Sequence, residues 1–139
     1  MSLEGNREVV RREVAFWNGH DAEAAGQVYA DSYVGHDPAG FHAGSFEQVK
    51  QSAAATFAAF PDLSLTAHDV IVEGDKAVKR WTVRATHKRE LMGIPATGKE
   101  IVVTGTNIFR IANGKIVECW AQMDAMGMMQ QLGVIPPLG

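Results

Sequence analysis

The period of hydrophobicity changes once along this chain, at Phe60-Pro61, and that switch limits the folds available to it. Before it, apolar residues recur at helical spacing: Val10, Val14 and Trp17, with Val9 and Phe16 widening the stripe, predict a first helix capped by Asn6 and running to about Asn18. The segment NGHD interrupts it, and Asp21 is placed to cap a short second helix, DAEAAGQVYA. In SFEQVKQSAAATFAAF, Ser45 and Gln48 fit a capping box and Pro61 closes a third helix. After Pro61 the pattern alternates. LSLTAHDVIV (63–72) and KAVKRWTVRATHK (76–88) read as strands around an EGD turn, and EIVVTGTNIFRIA (100–112) and KIVECWAQM (115–123) flank Asn113-Gly114, a strong hairpin signal. LMGIPATGK (91–99) is a loop; MDAMGMMQQLG is a last short helix ending at Gly133, with Pro136-Pro137 forbidding its continuation.

Helices first and hairpin-linked strands afterwards predict an α+β fold, N-terminal helices packed on one face of a strongly curved antiparallel sheet. Such a sheet leaves a cone open at one end, a natural small-molecule pocket. With 139 residues the expectation is one domain over 1–139, burying roughly two-thirds of its unfolded surface. The formal net charge of −3 gives no electrostatic reason to expect nucleic acid or an anionic membrane as partner. The single cysteine, Cys119, excludes an internal disulfide and any CxxC site. A charged N-terminus without an apolar run, and no stretch of about 18 apolar residues, make the cytoplasm the expected compartment.

One carboxylate, Asp124, stands in the apolar stretch CWAQMDAMGMMQQLG. Desolvation there would raise its proton affinity and suit it to general acid/base work; it could equally N-cap the last helix, and the two roles can coexist. Trp120, Met123, Met126, Met128 and Met129 could wall a pocket or be plain core. Register decides what accompanies Asp124. A two-residue turn at Asn113-Gly114 sets Asn107 opposite Trp120 and puts Asn107, Trp120, Gln122 and Asp124 on one side. A three-residue loop sets Asn107 beside Cys119, with Ala121 and Met123. His36, Asp37 and His42 in GHDPAGFHAG form a poor metal trio, with no HxxxH on a helix and no cysteine. His36 fits a cavity mouth, or a turn in which Asp37 bonds its own backbone. His87, ending the Trp81–Val83–Ala85 face, can reach the pocket, whereas His20 and His68 read as surface residues. Arg80 and Arg84 lie opposite Trp81, as cross-strand ion-pair partners or as an anchor for a substrate carboxylate. There is no G-x-S-x-G nucleophile and no phosphate-binding loop.

The segments VVRREVAFWNGHDAEA, YVGHDP, FPDL, RWTVRATH, MGIPATGK, FRIANGKIVECW and DAMGMMQQLG, in that order, resemble the SnoaL-like polyketide cyclase (ester cyclase) family of the NTF2-like superfamily, over nearly the whole chain. The resemblance implies a cone-shaped α+β barrel, commonly a homodimer, with an apolar cavity. It also implies intramolecular aldol closure of an aromatic polyketide ester without metal or organic cofactor. The family's acid/base is an Asp late in the last strand, which falls on Asp124 or, with a different alignment of the strand end, on Ala121; its polar helper on the preceding strand fits Asn107. On this reading Asp124, Asn107 and His36 are the catalytic candidates, and Trp81, Trp120, His87, Met123 and Gln122 shape a site for a small apolar carbonyl or ester. The alternatives are a non-catalytic binder of small apolar ligands and, from a sister group, an epoxide hydrolase needing an Asp–Arg–Asp set.

Overall fold

A computed structural model of the protein describes residues 2–136; Pro137, expected to stop the last helix, lies outside them. Helix α1 spans Leu3–Gly19, a 3₁₀ segment covers Ala22–Gln27, and strands β1 (Tyr29–His36) and β2 (Gly44–Ser45) precede helix α2 (Phe46–Ala59). Strands β3 (Ser64–Glu73), β4 (Lys76–Thr86), β5 (Glu100–Ala112) and β6 (Lys115–Met123) follow, and α3 (Ala125–Leu132) ends the series. The capping box of α2 is complete, with Ser45 Oγ accepting from Gln48 N and Gln48 Oε1 accepting from Ser45 N, an arrangement worth ~1 kcal/mol. No helix among the described residues is long and apolar enough to cross a membrane.

Three expectations need correction. Ser2, not Asn6, caps α1, its side chain accepting from Gly5 N at 2.9 Å. Asn6 is buried inside the helix and its Nδ2 donates to Gly74 O at 3.0 Å, so a tertiary partner replaced the cap. The segment after Asp21 makes only a 3₁₀ stretch and then turns into β1 at Tyr29. That strand pairs with β6 in parallel, so the sheet is mixed rather than wholly antiparallel, in the order β2-β1-β6-β5-β4-β3. A register shift between Tyr29 and Val34 breaks the alternation that would have announced the strand.

The sheet is curved and unclosed, and register shifts also occur between Ala67 and Asp69 and between Arg110 and Ile111. Such bulges bend a strand and increase its twist. The third decides which side chains face inward. Asn113 (φ 52°) and Gly114 (φ 76°) form a two-residue turn of the type that demands positive φ at both positions, and Ala112 faces Lys115. Ile111 still faces Ile116, but Arg110 faces Glu118, leaving Val117 as an extra residue. Asn107 therefore stands opposite Ala121. The turn is the tight one, yet the facing is that of the longer loop.

The concave face carries the core in two parts. One cluster joins Val9, Val10, Phe16 and Trp17 of α1 to Tyr29, Phe109 and Ile116. The other joins Phe60 and Leu65 to Trp81, Ile101, Val103 and Met128. Trp81 lies flat across β5 at Gly105, where any side chain would collide with its ring and stand 2.8 Å from Gln122 O.

Candidate functional site

A cavity of about 60 Å³ opens into the second cluster, several times the ~15 Å³ that one water needs. Trp17, His42 and Thr56 line it from α1, the β1–β2 loop and α2; Trp81, Val103 and Met123 line it from the sheet, and Met128 from α3. Its walls are almost wholly apolar.

Two polar residues belong to the lining: Thr56, whose hydroxyl donates to Ser52 O, and His42, which sequence reasoning weighed only as a metal ligand. Its loop is held by Asp37, which accepts from Ala39 N and His42 N at 2.9 Å each, and Tyr33 Oη donates to His42 O at 2.6 Å. The ring packs edge-on to Trp17 at 5.1 Å, and its Nδ1 is buried without a partner among the described residues. Burial, aided by the Lys79 cation, pushes the imidazole down to about 3, so it is neutral near pH 7.

Behind the cavity lies an ion pair that the sequence carried in plain periodicity. Glu13 falls on the buried stripe of α1 and Lys79 on the Trp81 face of β4; both are fully buried, with Lys79 Nζ donating to Glu13 Oε1 at 2.5 Å. The ammonium also lies 5.9 Å from the Trp81 ring centroid and 5.6 Å from that of Phe109. Trp81 Nε1 donates to Asn107 Oδ1 at 3.0 Å, and Asn107 is wholly buried. Glu13 Oε2 and Asn107 Nδ2 have no partner among the described residues; each such orphan costs ~1–3 kcal/mol unless something pairs it.

The other candidates scatter. Asp124 is exposed at the end of β6 and caps α3, accepting from Gly127 N at 2.8 Å. It lines a separate groove of about 400 Å³ together with Arg80, Thr104, Thr106 and Gln122, and this groove shares Trp81 and Met123 with the interior cavity. His36, Trp120 and Gln122 are on the opposite face of the sheet from Asn107: the Val117 bulge turned Trp120 and Gln122 outward, and His36 pairs with Trp120 on the β1–β6 ladder. There the His36 ring stacks on Trp120, and His36 Nε2 lies 2.8 Å from Glu118 Oε2 while Arg110 approaches the other oxygen at 3.2 Å. The His36 hydrogen bond, then Arg110, holds the Glu118 carboxyl below its usual range. His87 is buried outside the cavity lining: Thr97 N donates to its Nδ1 at 3.3 Å, pinning the 91–99 loop, and its ring packs on Phe60. Arg80 pairs with Asp69 at 2.6 Å across the strands, and Arg84 is exposed. The trio His36, Asp37 and His42 does not converge, since His36 faces outward, Asp37 holds the loop and His42 faces in.

Helices laid on the concave side of a bent mixed sheet around an apolar chamber define the NTF2-like class of folds. The SnoaL-like polyketide cyclase family model matches residues 7–132, and the chain belongs to that family. Among solved structures it is similar to TsrD from Streptomyces laurentii, with 29% identity, 97% of this chain and 99% of that one covered, and a TM-score of 0.86. It is also similar to IdmH from Streptomyces antibioticus, provisionally described as a polyketide cyclase (32% identity, 92% and 98% covered, TM-score 0.79). AclR from Streptomyces galilaeus, provisionally described as a hydroxylase, matches with 28% identity over 99% of this chain and 87% of that one, TM-score 0.86. A search of curated proteins found no match.

The buried pair should respond non-additively. Glu13→Leu or Lys79→Met alone leaves an uncompensated interior charge and should cost about 3–5 kcal/mol, whereas the double variant should recover most of that loss; urea denaturation of the four proteins measures the cycle. His42 makes stability depend on acidity. The folded protein keeps it neutral down to about pH 3, while the unfolded chain protonates it below 6.5. Unfolding therefore takes up a proton in that window, and stability falls with pH by up to about 1.4 kcal/mol per unit. His42→Leu should lose that component, leaving a shallower profile than wild type over the same range.

Proposed function

We propose that the protein is a cofactor-independent, cyclase-like enzyme that moves a proton next to the carbonyl of a small apolar, polyketide-type ketone or ester held in the interior cavity. The observation that supports this reading is that the groove holding Asp124 shares two lining residues, Trp81 and Met123, with the apolar chamber. One Asp124 oxygen is engaged by the α3 cap, leaving the other for a substrate proton. An Asp can serve as the base in such chemistry: ketosteroid isomerase uses one in an apolar site with neutral donors. His42, uncharged, is suited to hydrogen-bond a substrate oxygen, and Trp81, Val103 and Met128 shape the chamber.

A second reading, ligand binding without turnover, is favoured by the absence of any carboxylate from the cavity lining among the described residues. The epoxide-hydrolase reading fares worse. Asp69 and Arg80 form a pair near Asp124, but all three are exposed to water, where a charged relay gains little.

We further propose that the outer sheet face joins two copies of the chain. Val34 and Ile108 are exposed there on the strands that flank β6 and its Trp120, and such apolar surface marks contact sites. Ile108→Arg should shift the protein to a monomer in light scattering; a monomeric wild type would remove the proposal.

Asp124→Asn is the decisive substitution for catalysis, because asparagine caps a helix as well as aspartate does and the fold should be untouched. Turnover of aromatic polyketide esters and related ketones, followed by absorbance, should fall about 10²–10⁴-fold. Unchanged turnover would exclude Asp124 as the base, and saturable binding with no turnover in the wild type would leave only the binding role.

A further inference from the structure

Two open strand edges beside the chamber are closed by side-chain amides. β3 is an edge strand, and Asn18 of α1 meets its Leu65: Oδ1 accepts from Leu65 N at 2.7 Å and Nδ2 donates to Leu65 O at 2.9 Å. β5 has an edge of its own, because β6 stops at Met123, opposite Gly105, while β5 reaches back to Glu100. Gln131 of α3 fills that gap. Its Oε1 accepts from Val102 N at 2.7 Å and its Nε2 donates to Val102 O at 2.9 Å. Each amide stands where a neighbouring strand would otherwise pair. Leu65 on one edge and Ile101 and Val103 on the other line the chamber.

The two clamps differ in what supports them. α1 is also held by Asn6 on Gly74 O, by Arg7 on Val70 O and by the buried Glu13–Lys79 pair. α2 buries Val49, Ala53 and Phe57 in the first cluster. α3 packs chiefly on β5. It places Met128 and Leu132 in the second cluster, and its polar ties are exposed: the Gln131 clamp, and Lys99 Nζ passing over the Gly133 end. Exposed hydrogen bonds are readily exchanged for bonds to water, and a cation at an exposed helix end is screened. Moving a strand breaks ladder bonds, and moving α1 strips a buried charge pair. α3 is the wall that comes away most easily. The chain bends where such a motion would start. Asp124 N donates to Thr104 O at 3.0 Å, and Asp124, at φ −78° and ψ 72°, leads out of the sheet into the helix. A ligand needs a route, since apart from Phe41, Val83 and Met123 the lining residues are buried.

We propose that α3 is a latched door to the chamber, hinged at Met123–Asp124 and fastened by Gln131, which admits a small uncharged apolar ligand when the amide releases Val102. The assignment rests on the reading that the chamber receives a ligand. Opening takes Met128 out of the lining and uncovers Ile101 and Val103. Water replaces the amide on Val102 N and O, so no backbone group is stranded. The Thr104 bond keeps the Asp124 backbone on the sheet, so the proposed base does not travel with the door.

Uptake of chlorodifluoromethane, a small apolar probe, can be followed by fluorine NMR line shapes, which give affinity and rates together. Gln131→Ala should raise the entry and exit rates alike by about tenfold, the effect of the lost clamp on the opening equilibrium. Affinity should stay within about twofold, because the empty and filled closed states lose the same two bonds. Asn18→Ala removes the same kind of clamp from the better-held helix and should leave both rates unchanged, which separates a door from a general loss of stability. Urea denaturation checks that both variants fold. In the wild type, the Val102 amide should exchange with deuterium faster than the amides of the β4–β5 ladder and without dependence on low urea. Rates moved equally by the two substitutions overturn the door, as does Val102 exchange that tracks global unfolding. Saturable uptake at rates unmoved by Gln131→Ala sinks the door and spares the chamber; a wild type without saturable uptake sinks both.

Discussion

The rest of the architecture is arranged around a pair of charges that has no access to water. Glu13 is on a helix and Lys79 on a strand, and neither can be buried without the other. Taking two ions out of water costs several kcal/mol each, so the pair penalises any docking of α1 on the sheet that separates the two groups. Apolar packing tolerates small slides; a 2.5 Å charged contact does not. The pair fixes which turn of α1 meets β4 and thereby where Trp17, one turn further on, meets the cavity.

The apolar interior around this pair is divided. The buried apolar residues form two clusters. The first cluster is closely packed by edge-to-face aromatic contacts among Phe16, Trp17, Tyr29 and Phe57, whereas the second contains the cavity. Close packing in one cluster and open space in the other is a workable division between holding a shape and receiving a ligand. The outer face of the sheet follows different rules: Glu118, Arg110, Asp69 and Arg80 are paired in partial contact with solvent, where ion pairs contribute ~0–1 kcal/mol each.

Much of the fold was legible from residue order. The Ser45–Gln48 box, the Asn113-Gly114 turn and the alternation of β4 appear where local chemistry puts them, because each rests on interactions within a few residues. What escaped depends on distant partners. β1 is short of alternation because it is bulged, and most of its pairing comes from β6, much further along the chain. The Val117 bulge reversed the facing of β6 without any glycine or proline to mark it. Asp124 attracted notice as a lone carboxylate among methionines, and its neighbours in the chain are indeed apolar, but they turn away and leave it at a helix end. Glu13 and Lys79 were in register with the buried residues all along; the habit of placing charges outside hid them. His42 had no local mark beyond a flanking Phe41.

The parallel contact between β1 and β6 has a consequence for how the molecule is made. Residues joined there, such as His36 and Glu118, are 82 positions apart, and no shorter route seats Tyr29 and Tyr33 beside Cys119. On a ribosome, β1 must wait with Tyr29 and Tyr33 partly uncovered until β6 has left the exit tunnel. Pairings of such range are slow to form and leave apolar surface open to aggregation in the interim. The strand that completes the chamber is thus also the one that ends the nascent chain's exposure to misassembly.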